Sequence, residues 1–445
     1  MKRLLILAYD FPPYVSVGGL RPYAWYRYMK EYGVEPIVVT RQWGNKYGNE
    51  LDYIAPSESK ETIVEETEYG TIIRTPYRPN LANKIMLKYG RNRFALLRKL
   101  VTAWYEFMQF IFFVGPKSEL YRGANEYLKQ NKVDAIIATG EPFILFKYAS
   151  ALSKKYGVPW IADYRDPWSQ NKNRSKFIGR WSKYFEKKFM ANAECVVTVS
   201  EFVKVQIKTN VHKPFHIIPN GYNPDAMNAV SDIKQGRDCL RFAFAGAIYS
   251  WHPYKNVIST FVEFIQKNNI DIKIELNFFG INRHEEIRQF ARENNIEEYI
   301  HVYPRMDNTS LLENLCKQNV MLLFNDYSIM GTKIYDYLGL KRKILLCYSD
   351  DKEALLLKEK YYPNEEIDGL GTHLQEDLLK QTNSGIVVKN HEHLLQVLND
   401  LYAEFNQNHC IACHSVHTEQ FSRKEGVRLL AEMLQQNCFE HTCYV

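Results

Sequence analysis

The chain has 445 residues, 46% of them hydrophobic and 24% charged. It is too long for one ordinary core and too apolar for a disordered polymer, so two domains of about 200 residues each are expected. With 57 basic and 51 acidic residues the formal charge is +6, a mild excess that suits phosphate-bearing ligands or an anionic membrane surface and argues against a dedicated nucleic-acid binder.

The N-terminal run Met-Lys-Arg-Leu-Leu-Ile-Leu-Ala-Tyr-Asp is too short for a signal-peptide core and reads as a buried first strand. No stretch of about 18 uninterrupted apolar residues occurs, and the eight cysteines are scattered. The expectation is a cytoplasmic protein with reduced thiols. Residues 3–8, 35–40, 133–138, 158–163 and 195–199 read as strands, with helical patterns between them at 20–32 and 143–156. This alternation predicts a parallel sheet covered on both faces. Residues 224–239 are polar and aperiodic and read as a linker. The pattern then restarts, with strands at 240–246, 272–280, 299–304, 320–325, 343–348 and 385–388 and helices at 253–268, 283–294 and 309–318. The expected fold is α/β: two doubly wound Rossmann-like domains, 1–223 and 240–419. A last helical segment near 422–436 suits either one.

Ligands of open parallel sheets sit outside the carboxyl ends of the strands, and four clusters lie there. Gly18 and Gly19 precede a helix whose first turn carries Arg21, so backbone N–H groups and a cation could meet an anion, or the glycines form a plain strand-to-helix turn. At the next mouth Asp163, Arg165, Asp166 and Trp168 offer two carboxylates, a guanidinium and an indole. That set suits sugar hydroxyls and a sugar face, or an Asp–Arg brace. Gly246 follows a strand and can admit a diphosphate, with Lys255 as a neutralising cation. Gly331 and Thr332 open a helix that carries Lys333 in its first turn and Asp336 one turn later on the same side. There an anion would meet N–H groups and Lys333, and Asp336 could accept from ribose hydroxyls. The bland reading is a helix cap with a surface ion pair.

These pieces, together with "ATGEP" (138–142), "VVTVSE" (196–201), "IIPNGYN" (217–223), "FAGAIY" (244–249), "GTKIYDYLGLKRKIL" and "FSRKEGVRLLAEML", make the chain resemble the family-four retaining glycosyltransferases of the GT-B fold. The branch that builds bacterial surface polysaccharides is the nearest in pattern. The resemblance implies two domains facing across a cleft, with the last helix (420–438) crossing back to the first domain. It implies that Gly18, Gly19, Arg21 and Glu141 belong to a loop over the donor phosphate or acceptor. Lys333 would hold the diphosphate opposite Gly246, Asp336 would take the ribose, and Tyr249, Gly331 and Thr332 would complete the donor site. Asp166 would orient the acceptor hydroxyl with Asp163 and Arg165 in support, while Lys333, Lys255 and helix N-termini stabilise the leaving group. No cofactor or metal is implied beyond the nucleotide-sugar donor. Two departures stand out: Ser328 occupies the first position of the family's Glu-x7-Glu, and no Arg follows Gly246.

The implied partners are a nucleotide sugar and a saccharide or lipid-linked saccharide acceptor, with no nucleic acid. Residues 83–117 are basic, then aromatic, and read either as a helix packed on the first domain or as a membrane-interface segment at the inner face of the cytoplasmic membrane. His-Cys-Ile-Ala-Cys-His at 409–414 has c-type haem spacing, but that chemistry requires export. A zinc site from Cys410, Cys413, His414 and His417 is a weaker reading than structural thiols. Two other functions share the fold: a sugar-nucleotide epimerase, and a non-catalytic partner subunit of a transferase.

Overall fold

Runs of buried Leu, Ile and Val become the strands of two sheets in the computed structural model, which describes residues 1–44, 51–170, 175–268, 273–361, 370 and 373–439. The chain divides into two units, Met1–Pro219 with Lys424–Val445, and Asn220–Arg423.

The first unit runs β1 (Lys2–Leu7), α1 (Val17–Tyr28), β2 (Val34–Arg41), β3 (Ile63–Glu66), β4 (Thr71–Thr75), α2 (Leu81–Tyr89), α3 (Ala95–Ile111), α4 (Ser118–Gln130), β5 (Ala135–Gly140), α5 (Ile144–Tyr156), β6 (Trp160–Tyr164), α6 (Lys176–Met190), β7 (Cys195–Thr198), α7 (Glu201–Lys208) and β8 (Phe215–Ile217). Its strands lie in the order β3-β4-β2-β1-β5-β6-β7-β8. Every pair is parallel except β3 with β4. Leu4 to Leu7 are fully buried because helices cover both faces of a parallel sheet. The sequence pattern missed β3, β4 and β8, which have only three to five residues and no long apolar run. α1 starts where Ser16 Oγ accepts from Gly18 N–H, the usual way to satisfy an orphan N-terminal donor.

The second unit runs α8 (Pro224–Ala229), β9 (Leu240–Ala245), α9 (Tyr254–Lys267), β10 (Ile274–Phe279), α10 (His284–Glu293), β11 (Ile300–Tyr303), α11 (Asn308–Cys316), β12 (Val320–Phe324), α12 (Lys333–Leu340), β13 (Lys343–Cys347), α13 (Lys352–Tyr361), α14 (Leu374–Thr382), β14 (Gly385–Val388) and α15 (His391–Asn408). Its sheet is all parallel, in the order β11-β10-β9-β12-β13-β14. This is the 3-2-1-4-5-6 order of dinucleotide-binding sheets.

One boundary differs from the sequence expectation. Residues 224–239 do not form a bare linker. α8 is capped by Asn223, starts with Pro224 at its first position, and buries Met227 and Val230 in the second unit's core. Polar residues on its outer side hid that anchor. The last helix, α16 (Arg423–Leu434), buries Val427, Leu430, Ala431 and Leu434 with Leu4, Ile6 and Val34 of the first unit. Helical spacing of apolar residues on one face explains the docking. Among the described residues no helix is long and apolar enough to cross a membrane.

Candidate functional site

In the second unit the strand order reverses between β9 and β12, and ligands of such sheets bind at that switch point. β9 ends at Ala245 and leads into Gly246, while β12 ends at Phe324 and leads into the loop before α12. Tyr337 ties the two sides together, its hydroxyl accepting from Ala245 N–H at 2.9 Å.

Gly246 has φ +100°, and a Cβ there would lie 1.9 Å from Lys333 Cε and 2.3 Å from Nζ. Any side chain would therefore evict the lysine, in a backbone region that only glycine tolerates cheaply. Lys333 is the first residue of α12, and its ammonium lies 5.4 Å from the centre of the Phe244 ring. It makes no hydrogen bond or ion pair among the described residues. Burial pushes its pKa down, and Asp326 and then Asp336 oppose that shift. Burial pushes the Asp336 carboxyl up to about 6, against the pull of Arg423 and Lys333. Gly331 and Thr332 lead into this helix, Thr332 without a side-chain cap bond. Tyr249 is exposed and stacks on Trp251 at 4.6 Å and 11°.

Several residues here escaped the sequence reading. Asp326 Oδ1 accepts from Trp251 Nε1 at 3.1 Å and from His252 Nε2 at 2.7 Å. Tyr249 N–H donates to His252 Nδ1, which places the ring proton on Nε2. Ser328, at the position of the family's first Glu, accepts from the fully buried Lys358 of α13 at 2.5 Å. Burial lowers the Lys358 pKa to about 8, with Glu359 and Asp326 opposing. Only a polar "Asn-Asp" directly after a strand could have flagged Asp326; nothing local marks His252 or Lys358.

Lys255 does not join this group. It is exposed in the first turn of α9, its ammonium 6.0 Å from the Phe290 ring and near Glu286 of α10. The expected second cation for the diphosphate is thus corrected, because the helical turn at 254–257 aims position 255 along the outer face.

In the first unit the switch point falls between β1 and β5. Gly18 lies against Asp10, Arg165 and Ser16, where a Cβ would come 2.7 Å from Asp10 Oδ2. Gly19 packs on the Asp10 backbone, where a Cβ would come 3.3 Å from its carbonyl oxygen. Ser16 Oγ donates to Asp10 Oδ2 at 2.6 Å, and the other carboxylate oxygen is buried without a partner in the structure. Burial raises the Asp10 carboxyl, opposed by Ser16, Arg165 and Arg41. Arg165 donates to the carbonyls of Gly140 and Glu141, and so shapes the loop on which the exposed Glu141 stands. Asp166 has an exposed edge at this mouth; crowding at its base raises its carboxyl and Arg165 opposes.

Three expectations in this unit are corrected. Asp163 is fully buried, with Oδ1 accepting from Arg21 Nε at 2.9 Å and Oδ2 from Thr139 at 2.8 Å. Arg21 also donates to the carbonyls of Ile218 and Pro219. Both residues brace the domain and present neither a proton acceptor to a sugar nor a cation to a phosphate. Trp168 is 2% exposed and stacked on Phe143 at 5.2 Å, so its indole belongs to the core. Among the described residues no three His, Cys, Asp or Glu are grouped to hold a metal ion.

Two parallel-dominated sheets, each covered by helices on both faces, give the chain the GT-B fold. Residues 22–226 match the profile of Glycosyltransferase Family 4. Among solved structures it is similar to a sucrose-phosphate synthase from Thermosynechococcus elongatus, at 13% identity over 99% of this chain and 96% of that one, TM-score 0.54. It is similar to Anabaena Alr3699/HepE, solved with UDP and glucose, at 11% identity over 98% and 100%, TM-score 0.52. It is also similar to a Listeria monocytogenes protein assigned as a UDP-N-acetylglucosamine 2-epimerase, at 12% identity over 99% and 98%, TM-score 0.51. Curated proteins give no match. At these identities the likeness establishes the fold that transferases and epimerases share.

Proposed function

We propose that the protein is a retaining, metal-independent hexosyltransferase that moves a sugar from a nucleotide-diphosphate donor to a saccharide or lipid-linked saccharide in cell-surface polysaccharide synthesis. The observation that carries this reading is Lys333: half-buried at the switch point of a dinucleotide-type sheet, without a hydrogen bond or ion pair among the described residues, in space that only a glycine at 246 leaves free. An ammonium so placed, beside the α12 N-terminus, suits the β-phosphate of a departing nucleoside diphosphate. In the transfer the C1–O bond to the diphosphate breaks, the acceptor oxygen bonds C1 on the same face, and its proton passes to the departing phosphate. Asp336 accepts from the ribose, Tyr249 stands beside the donor pocket, and Asp166 with Arg165 orients the acceptor hydroxyl.

The test is a thermal-shift screen against UDP-, GDP-, ADP- and CMP-linked sugars, followed by product analysis with and without saccharide acceptors. One nucleotide should raise the melting temperature by a few degrees at about 100 times its dissociation constant. Transfer should then require an acceptor. An epimerised donor appearing without acceptor, or no binding by any of the four, would overturn the reading.

The site of action we place at the inner face of the cytoplasmic membrane. Residues 81–105 carry six basic side chains, Lys84, Lys88, Arg91, Arg93, Arg98 and Lys99, and no acidic one. On α3, Leu96, Leu100 and Trp104 lie one turn apart and are 74%, 62% and 52% exposed. Lys147 of α5 holds the helix in that pose by donating to the carbonyls of Gln109 and Phe112 at its C-terminus. An apolar stripe flanked by cations suits an anionic bilayer interface. Co-sedimentation with phosphatidylglycerol vesicles is expected, and Trp104→Glu should weaken it about tenfold. Equal binding to pure phosphatidylcholine vesicles would count against the electrostatic half of the argument.

A further inference from the structure

We propose that α6 is the second half of a membrane-binding face, its exposed cations seated on anionic phospholipid headgroups beside the apolar stripe of α3. The inference rests on the membrane reading given above for residues 81–105 and extends it to a helix outside that segment.

The sequence of α6 sorts into three faces. Ser182, Phe185, Glu186, Phe189 and Met190 form the buried one. Phe177, Trp181 and Tyr184 recur at spacings of four and three, so they share a second face. Phe177 is 66% and Tyr184 62% exposed, which leaves two large rings of this face in water. Lys176, Arg180, Lys183 and Lys187 recur in the same way on a third face, and all four are exposed.

Charge on this helix is one-sided. Lys188 is exposed as well, and among the described residues none of these five cations forms an ion pair. The helix has one carboxylate, Glu186. It is fully buried and accepts from Ser169, Gln170 and Asn210. A surface helix that balanced its own charge would carry pairs one turn apart. Nothing on the outer side of α6 offsets its cations, so the complement is an anionic partner.

The neighbouring helix decides which partner. On α3, Leu100, Trp104 and Phe107 form one stripe by the same spacing. The Phe107 ring lies 5.9 Å from Phe177 and 5.3 Å from Trp181, so the apolar stripe of α3 runs onto the aromatic face of α6. A nucleic acid would neutralise the cations and leave the leucines of that stripe wet. An anionic bilayer offers headgroup phosphates and an acyl boundary in one plane, and Lys and Arg reach the first while rings and leucines enter the second. Both helices also grip the loop after β6. Phe110 of α3 stacks on Trp168 at 5.6 Å, and Glu186 of α6 holds Ser169 and Gln170. The stretch that carries Asp166 is therefore seated against the two helices of this face.

The test titrates the full chain with vesicles of phosphatidylglycerol and phosphatidylcholine. Lys183→Gln together with Lys187→Gln should weaken binding about 25-fold, about fivefold for each cation lost. Phe177→Glu should weaken it about tenfold. The same loss of two charges at the exposed Lys234 and Lys389 of the second unit should change it less than twofold. All these side chains are exposed, so melting temperatures should stay within a degree or two of wild type. If Trp104→Glu weakens binding while the α6 variants bind like wild type, this inference falls and the α3 reading stands. If wild type binds no vesicle, both fall. Equal losses from the α6 pair and the second-unit pair would show that net charge alone acts, and would overturn the inference. So would an oligonucleotide bound as tightly as the vesicles, with nucleic acid then the partner.

Discussion

Replacing Arg21 with methionine is expected to lower the melting temperature by about 10 °C while leaving nucleotide affinity unchanged. The guanidinium is buried and bonded to the fully buried Asp163. It also donates to two carbonyls at the end of the segment that leaves β8. Removing one partner of a buried pair costs about 3–5 kcal/mol, mostly because the other charge is left without a counterion. At about 2–4 °C per kcal/mol for a unit of this size, the drop follows. Thr139 is the remaining described hydrogen-bond donor to Asp163 and cannot neutralise it. The pairing makes a second statement: Arg21→Met with Asp163→Leu should recover part of the loss, since no charge is then stranded. A melting temperature within a degree or two of wild type for R21M would show that the pair is not a brace, and would return both residues to the catalytic candidates.

The second large effect is on ligand binding. Lys333→Ala should weaken the nucleotide that binds best by roughly 30- to 150-fold, the equivalent of about 2–3 kcal/mol for a charge-assisted contact to phosphate. Unliganded stability should change little, and in a defined direction. Burial lowers the lysine's pKa in the folded state, so the unfolded chain holds that proton more tightly. Wild-type stability therefore rises with pH through the range just below the ordinary lysine value, and that rise should be missing from K333A. Calorimetry and thermal melts across pH 7–10 check both parts. Wild-type affinity in the variant would remove Lys333 from the donor site.

The cluster of Gly246, Gly331, Lys333 and Asp336 was readable because its signals are local. A glycine just past a strand, a glycine before a helix, and Lys333 and Asp336 three apart on that helix are all contiguous features, and the structure gathers them on one side of a switch point. Lys255 was misread for a local reason too: nearness in sequence to Gly246 does not fix which way a helical turn aims its side chains. The Asp163 cluster failed differently. An aspartate, an arginine and an indole at a strand end look alike whether they face solvent or core, and residues far away in sequence decide between the two. Arg21 lies 142 positions from Asp163, and the ring stacked on Trp168 belongs to Phe143 on another element.

By itself the sequence determined the number of units, the parallel character of both sheets and most strand positions, because hydrophobic period and turn residues act over a few neighbours. Tertiary structure alone decided which polar groups are brace and which are site. A carboxylate's chemistry depends on the partners that burial brings to it, and those for Asp163, Asp326 and Ser328 come from 24 to 142 residues away.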